Sequence, residues 1–107
     1  MSHRKQGMFL QQVGRKNMTL QKLYKIIENR KKNMPENSYI ASLFRDGSDH
    51  IVQKIGEEAI EVVIAAKNES KDRIISEIAD LVFHLLVLLS ATEIKPTEVL
   101  QELENRM

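Results

Sequence analysis

The chain has 107 residues, 42% of them hydrophobic and 29% charged, with four Gly, two Pro and no Cys, which suits one soluble domain with a modest core built largely from helices. Without Cys there are no disulfides, thiolate zinc sites, iron–sulfur clusters or Cys nucleophiles, so any metal must use oxygen or imidazole ligands, and a reducing compartment is compatible. The net charge of +1 hides an asymmetry: residues 1–32 carry nine Lys or Arg against Glu28 alone, and the remainder seven basic against fourteen acidic residues, a basic front that attracts nucleic acid, an acidic lipid surface or an anionic small molecule alike.

Residues 1–17 are Arg- and Lys-rich and free of acids, and are expected to form a flexible basic extension, leaving 18–107 as the folded domain. From Thr19, a candidate N-cap, the residues Leu20, Leu23, Tyr24, Ile26 and Ile27 fall at helical spacing and predict a first helix to about Lys32, ended by Asn33-Met34-Pro35. Ser38 can cap a short helix, Tyr39 to Phe44, that stops at Asp46-Gly47. Ser48 or Asp49 then caps a long helix to about Lys67, interrupted by Gly56, whose cost of about 1 kcal/mol against Ala in a helix interior suggests close packing or a nearby ligand. Ser70 or Asp72 opens a fourth helix to about Ala91, and Pro96 starts a fifth, to Arg106. The expected fold is therefore all-α, an antiparallel bundle of four to five helices. No secretory segment is present, and the apolar run Leu81 to Leu89, broken by His84, falls short of the roughly 20 residues of a membrane span, so a cytoplasmic protein without a membrane partner is expected.

On the third helix Glu58 and Glu61 are neighbours on one stripe with Lys54 and Asn68, opposite an apolar face of Val52, Ile55, Ala59, Val63 and Ala66 expected to line the core. Taken alone, this acidic stripe reads as an ordinary solvated face. The fourth helix differs, because Leu81, Val82, Phe83, Leu85, Leu86, Val87, Leu88 and Leu89 cover nearly its whole circumference and leave Glu77, Asp80 and His84 as one narrow polar stripe. The short Asn68-Glu69-Ser70 connection makes the two helices antiparallel neighbours, so the two acid pairs can face each other. Four converging carboxylates need protons, cationic partners across the bundle, or a hard divalent cation, for which Mg²⁺ fits better than a Ca²⁺ cage; spacing alone leaves the ion pairs and the metal both open. A fourth helix apolar on so many sides also calls for a second subunit, hence a homodimer or higher homo-oligomer.

The pair Glu58-Ala-Ile-Glu61, fifteen residues, then Glu77-Ile-Ala-Asp80 resembles the ExxE and ExxD signature of the all-alpha (MazG-like) nucleoside triphosphate pyrophosphohydrolases. The fuller strings Ser38-Tyr39, Lys54-Ile-Gly-Glu-Glu-Ala, Val63-Ile-Ala-Ala-Lys-Asn68 and the stretch from Ala79 through His84 into the Leu run are similar to the phosphoribosyl-ATP pyrophosphohydrolase family of histidine biosynthesis, over about Leu20 to Arg106. The resemblance implies hydrolysis of 1-(5-phosphoribosyl)-ATP to phosphoribosyl-AMP and pyrophosphate, with Mg²⁺, or Mn²⁺ as a substitute, held by Glu58, Glu61, Glu77 and Asp80. In many organisms this domain is fused to a cyclohydrolase that uses zinc-binding Cys; a chain of this length without Cys is expected to act as the stand-alone enzyme.

Around the metal, Glu57 is the candidate to orient or deprotonate the attacking water, or is a solvated acid. Arg45, Lys54 and Lys67 are candidates for phosphate contacts and Asn68 for ribose or phosphate, while surface lysines are often inert. His84 either binds substrate, fixes a carboxylate, or is a core His satisfied by a neighbouring acid, and Ser38 is a helix cap or a phosphate contact. The rival readings are a house-cleaning nucleoside triphosphate pyrophosphohydrolase with the same metal site, and a non-catalytic helical dimer whose basic arm binds nucleic acid. The small-molecule nucleotide reading is preferred to nucleic acid.

Overall fold

A computed structural model describes residues 17–107, so the expected flexible extension lies outside the described residues except for Asn17. Five helices and no strand are found among them: α1 Leu20–Asn33, α2 Tyr39–Asp46, α3 Ser48–Lys67, α4 Lys71–Ala91 and α5 Pro96–Asn105. The caps follow local chemistry. The Thr19 hydroxyl accepts from the Lys22 N–H at 3.1 Å, the Ser38 hydroxyl from Ala41 N–H at 3.1 Å, and the Ser70 hydroxyl from Arg73 N–H at 3.4 Å, each satisfying a donor that the first helical turn leaves over. At α5, Pro96 occupies the first turn and the Glu98 carboxylate accepts from Lys95 N–H at 2.9 Å.

One junction differs from expectation. Neither Ser48 nor Asp49 caps α3; Gly47, at φ 97°, ends α2 and begins α3 as a single shared residue, and Ser48 and Asp49 lie inside the first turn. A side chain is disfavoured at that φ, which is why a Gly can join two helices with no linker. Asp49 then acts on the positive end of the α3 dipole rather than as a cap.

The long α3 and α4, joined by residues 68–70 with Glu69 at φ 58°, pack along their length as an antiparallel hairpin. The shorter α1 and α2 cover one end of it, where Ile27, Ile40, Leu43, Ile51, Phe83, Leu86 and Val87 form the core. A polar clamp ties α1 to the end of α4: the buried Ser90 hydroxyl donates to Glu28 at 2.5 Å, Lys31 Nζ donates to the Ser90 carbonyl at 2.7 Å, and the Tyr24 hydroxyl donates to the Ile94 carbonyl at 2.8 Å. The Ser90 hydroxyl, and behind it Lys31, hold the Glu28 carboxyl below its ordinary pKa against the opposing effect of burial.

Two expectations are corrected. The α3 face that reads as core in the sequence is only partly covered, with Val52 55% and Val63 53% exposed, Ala66 exposed too and Ile55 and Ala59 half-buried, while Ile51, Glu58 and Ala65 are buried. Gly56 has nothing within 4 Å of where a Cβ would stand, so of the two reasons expected for it, close packing is not met among the described residues. The membrane reading also needs restating: counted over its full length rather than over the Leu run, α4 is long and apolar enough to cross a membrane. Its Glu77, Asp80 and His84 are buried against the rest of the chain, the arrangement of a core helix.

Candidate metal and nucleotide site

The reason for that exposure lies in the helix seam. On α3 the positions facing α4 are Ile51, Lys54, Glu58, Glu61 and Ala65, and on α4 the buried stripe is Glu77, Asp80, His84 and Val87. Both sets alternate steps of three and four, the spacing at which antiparallel helices keep a common seam. The sequence therefore places its acids at seam positions, and burying them leaves Val52, Ile60, Val63 and Ile64 of α3 on the outside.

Three carboxylates meet there. Ligand oxygens of Glu58, Glu77 and Asp80 lie within 4.8 Å of one another, and all three residues are buried. Glu61 stands one turn beyond Glu58 at the rim of this trio, its side chain 21% exposed. Two cations flank the acids: Lys54 Nζ sits 3.5 Å from Glu58 and 3.6 Å from Glu57, and the Arg73 guanidinium 3.5 Å from Glu77 and 3.8 Å from Glu61. Both alternatives left open by spacing thus have a physical counterpart, since the acids cluster and also touch cations at the edges. The oxygen-only donor set suits a hard divalent ion such as Mg²⁺.

Beneath the trio, His84 is fully buried. Its Nδ1 lies 2.8 Å from the Asp80 carbonyl oxygen, which can only accept, so Nδ1 carries a proton. In the neutral ring Nε2 then accepts from the Tyr39 hydroxyl at 3.2 Å. Phe83 lies edge-on to the imidazole and stacks on Tyr39, so the first residue of α2 is tied through His84 to the backbone that carries Asp80. With no exposed surface, His84 supports the acid-bearing helix and does not line an open face of the chain.

A model of the phosphoribosyl-ATP pyrophosphohydrolase family matches residues 20–107, five helices and acid seam included. The chain belongs to that family. It is similar to the phosphoribosyl-ATP pyrophosphatase of Leptospira biflexa, 54% identical over 81% of this chain and 95% of that protein, and to that of Geobacter sulfurreducens, 51% identical over 81% of each. It also resembles the histidine biosynthesis bifunctional protein HisIE of Caldanaerobacter subterraneus, 52% identical over 81% of this chain and 42% of that longer one.

The remaining expected site residues of this family member are spread more widely. Glu57 is beside the trio but turned outward, accepting from Gln53 Nε2 at 3.0 Å; that bond, with Lys54 nearby, lowers its pKa and makes it a weaker base. Ser38 is the α2 cap and adjoins Tyr39. Arg45 is exposed in the last turn of α2, with Nη2 3.4 Å from the Glu36 carbonyl. Lys67 and Asn68 are exposed at the far end of α3, Lys67 being nine residues from Glu58 and so about 13.5 Å along the axis. Two residues given no role from the sequence join the site: Arg73, and Tyr39, which the sequence offered only within the Ser38-Tyr39 string. Arg73 was legible, lying four residues before Glu77 on the same stripe; the role of Tyr39 depends on how α2 folds over α4, which spacing does not report.

Proposed function

We propose that the chain hydrolyses 1-(5-phosphoribosyl)-ATP to 1-(5-phosphoribosyl)-AMP and pyrophosphate, using Mg²⁺ held by Glu58, Glu77 and Asp80 with Glu61 at the rim. The observation that carries this reading is the burial of three carboxylates on facing helices, with ligand oxygens within 4.8 Å, in a chain whose relatives are named for this reaction. Neutralising charge on the leaving pyrophosphate and lowering the pKa of a water is the chemistry that Mg²⁺ supplies when bound there.

The chain's own groups do the rest. Lys54, held against Glu57 and Glu58, places a positive charge where a phosphate approaches the acids. Glu57, a carboxylate whose pKa is lowered further by the Gln53 hydrogen bond, orients a water as hydrogen-bond acceptor more readily than it removes a proton outright. His84 and Tyr39 keep α4 in register so that Asp80 stays opposite Glu58. Ser38, Arg45, Lys67 and Asn68 stand farther from the acids and serve the phosphoribosyl and outer phosphate groups, from this chain or from a second copy. That copy is part of the proposal: Val52, Ile60, Val63 and Ile64 of α3 and Ile75, Ile78 and Leu85 of α4 are all exposed on the hairpin, and a homodimer buries such faces.

The test is pyrophosphate release by the purified protein with Mg²⁺ from phosphoribosyl-ATP, dCTP and dUTP in parallel. Turnover of phosphoribosyl-ATP with little from the deoxynucleotides is expected. The reverse pattern would assign a house-cleaning role to the same metal site and overturn the substrate named here.

A further inference from the structure

Arg73 has no part in the chemistry just described, yet it touches the acid row from both helices. Its Nη2 atom lies 3.5 Å from Glu77 Oε2 on its own helix and 3.8 Å from Glu61 Oε1 across the hairpin. The Arg73 side chain is 52% exposed while that of Glu77 is 4% exposed, so the guanidinium comes in from solvent and closes the outer end of the row. Lys54 differs, being 12% exposed and lodged against Glu57 and Glu58. One cation is therefore built into the seam and the other rests on its edge. Contacts of 3.5 and 3.8 Å made by a half-exposed guanidinium are long ones that water can replace on the Arg73 side, and guanidinium has the planar donor geometry that suits phosphate as well as carboxylate.

From this we infer that Arg73 is a displaceable counter-ion: it neutralises Glu61 and Glu77 in the metal-free protein, competes with the divalent ion for them, and when released turns its charge to the polyphosphate of the substrate. The inference rests on the metal reading above. It gives Arg73 opposite effects on two ligands, because loss of its charge favours the cation and disfavours the anion. A residue that only stapled α3 to α4 would, on removal, weaken both.

The experiment is calorimetric titration of the full chain with Mn²⁺, comparing the unaltered protein with Arg73→Gln and Arg73→Lys, together with KM and kcat for phosphoribosyl-ATP in saturating Mg²⁺. Because Arg73 is exposed, both variants are expected to keep the fold, checked by their melting curves. Arg73→Gln is expected to bind Mn²⁺ about 3- to 5-fold tighter, the size of one weak ion pair at the edge of the protein surface, while its KM rises and Arg73→Lys stays near the unaltered protein on both measures. Mn²⁺ binding that is unchanged or weaker in Arg73→Gln overturns the counter-ion role, and an unchanged KM overturns the phosphate role. Failure of the unaltered protein to bind Mn²⁺ would overturn the metal reading itself, and this inference with it, so the two failures are told apart.

Discussion

Replacing Asp80 by Asn removes a charge from the buried trio without changing its shape, and its effect on stability should change sign with metal. At the 4.8 Å that bounds the ligand oxygens of Glu58, Glu77 and Asp80, two unit charges repel by about 3.5 kcal/mol at an effective dielectric near 20. Asp80→Asn deletes two of the three such pairs. Lys54 and Arg73 at the edges already offset much of this repulsion, leaving a net gain of about 1–2 kcal/mol in the metal-free protein. For a domain of this size that corresponds to a rise of roughly 4–16 °C in Tm. In Mg²⁺ at about 100 times its Kd, the unaltered protein gains about 2.7 kcal/mol and the variant, short of one ligand, gains far less. Thermal unfolding at one fixed protein concentration, with chelator and with excess Mg²⁺, reads both arms. The variant should melt higher in chelator and lower in Mg²⁺. A variant that melts lower in chelator and shifts with Mg²⁺ as much as the unaltered protein would refute the reasoning, since the acids would then be held by ion pairs alone.

Tyr39→Phe removes the hydroxyl 3.2 Å from His84 Nε2; a stability loss of about 1 kcal/mol by chemical denaturation and weaker Mg²⁺ binding are expected, and an unchanged denaturation midpoint would show that the hydroxyl bond contributes nothing. Glu28 has its pKa lowered in the folded state, first by the Ser90 hydroxyl and then by Lys31, so its contribution is present above its unfolded value and is lost as pH falls through the folded one. Glu28→Gln should therefore destabilise the protein by about 1 kcal/mol at pH 7, with the difference from the unaltered chain shrinking in denaturation series taken from pH 5 downward. Ile60→Asp, on the exposed face of α3, should convert a dimer to a monomer in sedimentation velocity; an unaltered protein that sediments as a monomer contradicts the homodimer. On the same face, Gly56→Ala is expected to weaken association if the partner approaches closely, whereas in an isolated chain it would stabilise α3 by about 1 kcal/mol.

Most of the fold was legible because it is written locally. Thr19, Ser38, Ser70 and Pro96 mark helix starts by chemistry that acts within one turn, and the three-residue connection after Lys67 makes α3 and α4 neighbours. What misled was the amphipathic reading of α3. A hydrophobic stripe of Val52, Ile55, Ala59, Val63 and Ala66 predicts a core face in one chain, but the choice of which face is buried is made by α4, whose own seam carries Glu77, Asp80 and His84. The pairing of the two acid motifs was readable from their spacing, and the burial of Glu77 and Asp80 from the apolar helix around them; the depth of Glu58 was not, because burying it on a face that looks solvated is a tertiary decision. Likewise the sequence marks His84 as an oddity in an apolar helix, while only the packing of α2 shows that Tyr39 receives it.

The central claim, a metal-dependent pyrophosphohydrolase built on a buried acid seam, is tested most directly by incubating the purified chain with phosphoribosyl-ATP and quantifying phosphoribosyl-AMP and pyrophosphate with Mg²⁺ and with excess chelator. The account predicts equimolar products with Mg²⁺, none above background with chelator, and a loss of several orders of magnitude in turnover for folded Asp80→Asn. Equal turnover in chelator, or no turnover of phosphoribosyl-ATP under any divalent ion, would contradict it.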